Sequence, residues 1–164
     1  MTVPTVRLPF VARPKARRRI DMRDYKSLSH TKWDCKYHVV FIPKYRKKVI
    51  YGDIRNHLGE MFHELAGYRE CKIEEGHLMG DHVHMCISIP PKYAVSKIVG
   101  YIKGKSAIGI ARQFGKKTRN FRGENFWARG FFVSTVGLDE NMVLDYIRNQ
   151  EERDKYFEQM NLLE

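Results

Sequence analysis

The chain has 164 residues, 43% hydrophobic and 30% charged, and its 30 Lys+Arg against 19 Asp+Glu leave a net charge of +11. A chain of this length buries roughly two-thirds of its unfolded surface, which excludes wholesale disorder and predicts one domain. No run approaches the roughly 18 consecutive apolar residues of a membrane helix, and residues 1–25 lack an apolar signal-peptide centre, so a soluble, unexported, cytoplasmic protein is expected. The cysteines Cys35, Cys71 and Cys86 are far apart and form no C-x-x-C, so neither a disulfide framework nor a thiolate zinc knuckle is encoded.

Residues 1–25 carry Pro4, Pro9, Pro14 and the run Arg17-Arg18-Arg19 with no apolar periodicity, which predicts a flexible basic arm ahead of a domain spanning 26–164. Cys35 to Ile42 is β-branched and aromatic and stops at Pro43, the pattern of a buried strand. Asp53 is the expected N-cap of a helix whose apolar positions Ile54, Leu58, Met61, Phe62 and Leu65 recur at helical spacing, with Gly67 as its stop. Tyr68 to His77 reads as a second strand. After a turn at Gly80-Asp81, His82 to Ile89 alternates with period two, the clearest strand in the chain. Val95, Ile98, Val99 and Ile102 open a second helix that runs to Phe114, although Gly100, Gly104 and Gly109 weaken it. Phe131 to Val136 reads as a fourth strand, and Asp139 caps a last helix carrying Met142, Val143, Tyr146 and Ile147. The order β-α-β-β-α-β is that of a ferredoxin-like α+β fold, one antiparallel sheet with two helices on one face. The other face is left for the C-terminal helix and for chemistry.

The charge is unevenly placed. Residues 92–129 hold ten Lys/Arg and one acid, whereas residues 139–164 hold eight acids and three bases. A strongly basic stretch on so small a chain points to a polyanion, and nucleic acid is the natural one. Pro43-Lys44-Tyr45-Arg46-Lys47-Lys48 interleaves an aromatic with four cations just past a strand end, a pattern suited to nucleic-acid contact. Lys103 and Lys105, with Arg129, are the further candidates for backbone phosphate. Gly100 to Ser106 resembles a phosphate loop but has three residues between glycines where that motif has four, so no nucleotide cofactor is expected. Phe126, Trp127, Phe131 and Phe132 read mainly as core, and His63 and His77 as structural.

His82-Val83-His84 is the informative pair. Period two sends both imidazoles to one sheet face, about 7 Å apart along the strand, while Val83, Met85 and Ile87 go to the other. Two neutral imidazoles can share a divalent cation but need a third ligand. Tyr146 and Gln150, four residues apart, project from one helix face. Taken alone, the histidines read more readily as surface residues than as ligands, and Tyr146 more readily as an amphipathic core residue. Together, a cation held by His82, His84 and an amide oxygen beside a phenol forms a coherent phosphoryl-transfer site. Mixed nitrogen and oxygen ligands suit Mg or Mn.

These residues resemble the small single-tyrosine HUH transposases of bacterial insertion sequences that move as single-stranded DNA, the IS-two-hundred-like class. The resemblance runs through Trp33-Asp34-Cys35-Lys36-Tyr37-His38, Pro43-Lys44-Tyr45-Arg46, Asp81-His82-Val83-His84, Gly100 to Ser106, Phe126-Trp127-Ala128-Arg129-Gly130 and Tyr146-Ile147-Arg148-Asn149-Gln150. It implies a ferredoxin-like core, metal ligands at His82, His84 and Gln150, and a nucleophile at Tyr146. It further implies cleavage and rejoining of single-stranded DNA through a 5′-phosphotyrosine without ATP. Imperfect hairpins would serve as the recognition element, and a homodimer could place one subunit's tyrosine in its partner's site. Competing readings are a domesticated, non-cleaving regulator that binds DNA or RNA hairpins, another HUH nuclease such as a replication initiator or relaxase, and a zinc hydrolase built on His77, His82 and His84.

Overall fold

The computed structural model describes residues 26–115, 126–137 and 140–149. The basic arm, Asp139 and Gln150 lie outside the described residues. A short antiparallel hairpin comes first, β1 (Lys26–Leu28) with β2 (Thr31–Trp33). The core then follows the expected order: β3 (Lys36–Phe41), α1 (Gly52–Gly67), β4 (Lys72–Leu78), β5 (Val83–Ser88), α2 (Val95–Phe114) and β6 (Phe132–Val136). Residues 140–149 form a helix, α3.

The four long strands make one antiparallel sheet in the order β4-β5-β3-β6, the ferredoxin-like arrangement. Alternation along the strands divides its residues between two faces. Val39 and Phe41 of β3 and Val83, Met85 and Ile87 of β5 meet Leu58, Phe62 and Leu65 of α1 and Ile98, Val99, Ile102 and Ile110 of α2 in one buried core. Each such side chain contributes on the order of 2 kcal/mol by leaving water. The opposite face takes α3, whose Ile147 is fully buried. Lys36 of β3 donates to Glu140 at 2.5 Å and Arg148 donates to Glu75 of β4 at 2.9 Å, fixing α3 at both ends. Burial alone would depress Lys36, but its bonds to Glu140 and Asp34 outweigh it and raise its pKa.

Two local expectations are corrected. Helix α1 begins at Gly52 after an N-cap at Tyr51 that makes no side-chain cap bond. Asp53 is therefore not the cap but a first-turn residue, where its charge still complements the positive helix end. Residues 68–70 form a turn rather than the start of a strand, with Glu70 at φ 55°, and the strand begins only at Lys72. Helix α2 runs unbroken through its three glycines. A Cβ at Gly109 would lie 2.5 Å from Met61 Cε, so that glycine leaves room for the flexible tip of an α1 side chain.

Candidate active site

The open sheet face carries a cluster of histidines. His84 of β5 stands opposite Val40 of β3 and His77 of β4, so all three share that face, and His38 lies two residues from Val40 on it as well. His82 sits one residue before β5. Its ring centroid is 5.1 Å from that of His84, the two planes nearly perpendicular. His38, His82 and His84 are all buried.

Each candidate ligand is gripped at its Nδ1. Asp81 Oδ1 lies 2.6 Å from His82 Nδ1. A carboxylate can only accept, so His82 Nδ1–H is the donor, and in the neutral ring the lone pair is at Nε2. The other Asp81 oxygen accepts from Arg46 Nε at 2.9 Å. Burial alone would raise the Asp81 carboxyl, but the bonds from His82 and Arg46 outweigh it and lower its pKa. His84 Nδ1 lies 3.0 Å from His38 Nε2, with the two rings stacked at 5.3 Å. Burial, reinforced by the neighbouring histidines, pushes His84 down to about 4, so it is neutral at pH 7, the form that ligates metal.

Tyr146 projects from α3 toward this cluster, its ring edge-on to His38 at 6.1 Å, and remains half exposed. Phe132 of β6 closes on His38 from another side at the same distance. Besides the role of Asp81, sequence reasoning missed His38. It stands in an apolar run read as a buried strand, and the available signal was parity: a polar ring two residues from Val40 must face away from Val39 and Phe41.

The two histidines and Tyr146 therefore gather on one face, and a His82/His84 pair with both Nδ1 atoms engaged fits a divalent ion at the Nε2 atoms. The expected amide ligand, Gln150, is outside the described residues. Among the described residues no group of three His, Cys, Asp or Glu could hold an ion. His77, the third histidine of the zinc reading, has Nε2 3.1 Å from Met79 Sδ.

The basic candidates divide. Lys44–Arg46 form a tight, kinked turn in which Tyr45 and Arg46 take positive φ of 60° and 49°, a conformation costing such residues about 1–2 kcal/mol each. Lys44 and Lys47 lie over the ring of Tyr45, which is 78% exposed. Lys47, Lys48, Lys105 and Arg129 face solvent. Lys103 is placed differently. Its amine donates to the carbonyls of Ala128 at 2.8 Å and Gly130 at 2.5 Å and lies over the Phe41 ring, anchoring the 126–130 loop to α2. Trp127 Nε1 donates to Ser106 of the same helix at 2.9 Å.

Fold and site define a class: a small ferredoxin-like domain with a buried histidine pair on its open sheet face and a tyrosine-bearing helix across it. Residues 31–150 match the family described as Transposase IS200 like, and the chain belongs to that family, whose members are enzymes of DNA cleavage and transfer. It is 44% identical over 141 residues to the transposase for insertion sequence element IS200 of Salmonella typhimurium, covering 86% of this chain and 93% of that one. The ISDra2 transposase TnpA of Deinococcus radiodurans is 24% identical over 123 residues, 74% of this chain and 88% of its own. Two solved structures share the fold. A Deinococcus radiodurans R1 protein described as a transposase aligns with a TM-score of 0.62 at 24% identity, covering 76% of this chain and 97% of its own. The REP-associated tyrosine transposase bound to a REP hairpin aligns at 0.56 and 16% identity, covering 80% and 73%. No helix among the described residues is long and apolar enough to cross a membrane.

Proposed function

We propose that this transposase cleaves and rejoins single-stranded DNA at the hairpin-marked ends of an insertion sequence, with Tyr146 as the nucleophile. The observation that carries the reading is the seating of the Tyr146 ring against His38, the same ring that is bonded to His84. The Tyr146 hydroxyl attacks a backbone phosphorus, the bond from phosphorus to the 3′ oxygen breaks, and the phenol's proton ends on the departing 3′ hydroxyl. The strand is left as a 5′-phosphotyrosine. A second 3′ hydroxyl then attacks that ester, rejoins the strand and returns the proton to Tyr146. One phosphodiester is exchanged for another, so no nucleotide is consumed.

His82 and His84 through Nε2, with the Gln150 amide oxygen, would hold one Mg or Mn ion, which when bound polarises the phosphate and stabilises the leaving oxygen. Lys44, Lys47, Lys48, Lys105 and Arg129 offer the phosphate contacts. The hairpin carried by the REP-associated relative supports a hairpin partner here. The working unit is a homodimer in the cytoplasm, each chain one domain over 26–164.

The test is cleavage of a labelled single strand bearing an imperfect hairpin, with Mg or Mn present. Parent protein cuts the strand, and His84→Ala cuts it at least about 100-fold more slowly. Tight hairpin binding by the parent without a cut under either ion would contradict the reading and support the non-cleaving regulator.

A further inference from the structure

His38 plays no part in the chemistry just described, yet it touches both of that chemistry's parts. Its Nε2 is 3.0 Å from His84 Nδ1, its ring stacks on His84, and its flank meets the edge of Tyr146. It is 8% exposed, on the sheet face away from the main core. We infer that His38 is a positioning residue: it accepts a hydrogen bond from His84 Nδ1–H, fixes the tautomer that leaves His84 Nε2 as the ligand atom, and seats Tyr146 beside it.

A neutral imidazole carries one N–H and one lone pair. At the His38–His84 contact one nitrogen must donate and the other accept. If His38 donated, the His84 lone pair would be used at Nδ1 and its Nε2 would carry hydrogen, unable to bind a cation. If His84 donates, its Nε2 is available. His82 is held in the same sense by Asp81, whose carboxylate can only accept. Both rings of the pair are then held at Nδ1, one by a carboxylate and one by a third imidazole, the outer-shell arrangement that metal-binding histidines use. Strand pairing supplies the rigidity. His38 and His84 stand on adjacent strands whose register is fixed from Lys36 to Phe41, so the contact needs no loop to order.

The inference rests on His84 being a ligand, and the experiment separates the two claims. Long-range proton–nitrogen NMR of the metal-free parent at neutral pH reads the His84 tautomer directly and needs no variant. A protonated Nδ1 with a lone pair at Nε2 is expected, and the reverse tautomer overturns the inference. Manganese binding is then followed by electron paramagnetic resonance in a Tyr146→Phe background, without DNA. His82→Ala tests the site itself: if it binds manganese as well as its parent, the metal reading fails whatever His38 does. With that control weakened as expected, His38→Ala should bind manganese about 10- to 100-fold more weakly. His38→Gln, whose amide oxygen can accept the same bond, should recover most of the loss, which a purely space-filling role would not predict. Parent-like binding by a folded His38→Ala overturns the inference, as does a loss that His38→Gln leaves unrepaired.

Discussion

Arg46 and His82 grip one carboxylate from opposite sides: Asp81 accepts from Arg46 Nε at 2.9 Å and from His82 Nδ1 at 2.6 Å. Arg46 belongs to the strained turn that presents Tyr45 and Lys47 to solvent, so the basic turn and the histidine pair are joined by a single acidic side chain. The two ends of this bridge should differ in consequence. Arg46 is largely exposed, and an exposed ion pair contributes little, so Arg46→Ala should change stability by less than about 1 kcal/mol in urea unfolding. Asp81→Ala removes the acceptor that orients His82. It should weaken manganese binding about 10- to 100-fold, measured by calorimetric titration of the full chain.

Lys103 and Lys105 are neighbours on α2 with opposite tasks. Lys103→Ala leaves the Ala128 and Gly130 carbonyls without their donor and should cost about 1–3 kcal/mol of stability, read as a lower urea midpoint at unchanged slope. Lys105→Ala removes only a solvent-facing cation. Its stability should stay within about 0.5 kcal/mol of the parent, while the dependence of DNA affinity on salt becomes shallower by about one phosphate contact. A reversed pattern would exchange the two assignments.

Burial pushes the thiols of Cys71 and Cys86 up to about 11. Only the thiolate is nucleophilic, so at pH 8 about one-thousandth of each is reactive. Alkylation followed by mass spectrometry should modify the more accessible Cys35 first and leave Cys71 and Cys86 untouched until the pH approaches 11 or the protein is unfolded. Rapid labelling of Cys86 at pH 8 in the folded chain would mean that the open sheet face is less tightly covered by α3 than its buried Ile147 indicates.

Much of this architecture was legible because periodicity reports burial. Strict alternation over His82 to Ile89 gave β5 and both of its faces, and the apolar spacing of Val95 to Ile102 gave α2 despite Gly100, Gly104 and Gly109. The β1–β2 hairpin was not legible: each strand has three residues, too short for a period to emerge, and its pairing depends on the turn at Ser29-His30, where His30 takes φ 61°. The Asp53 cap failed because helix α1 starts two residues earlier than such a cap predicts, at Gly52 with its N-cap at Tyr51. Within the candidate site, His82, His84 and Tyr146 stood out by chemistry and spacing taken together. Their supports did not. Arg46 and Asp81 are 35 residues apart and His38 and His84 are 46 apart, and such contacts are set by strand register and turn geometry, which one sequence does not display.

The central claim is that the Tyr146 phenol becomes covalently joined to DNA. Incubating the full chain with Mn and a hairpin-bearing single strand, then digesting and sequencing the protein by mass spectrometry, measures it directly. The account predicts a 5′-phosphonucleotide adduct on the peptide containing Tyr146, absent in Tyr146→Phe, which should unfold at the same urea concentration as its parent because the ring is kept and the side chain is half exposed. An adduct on another residue, or one formed equally by Tyr146→Phe, would contradict it.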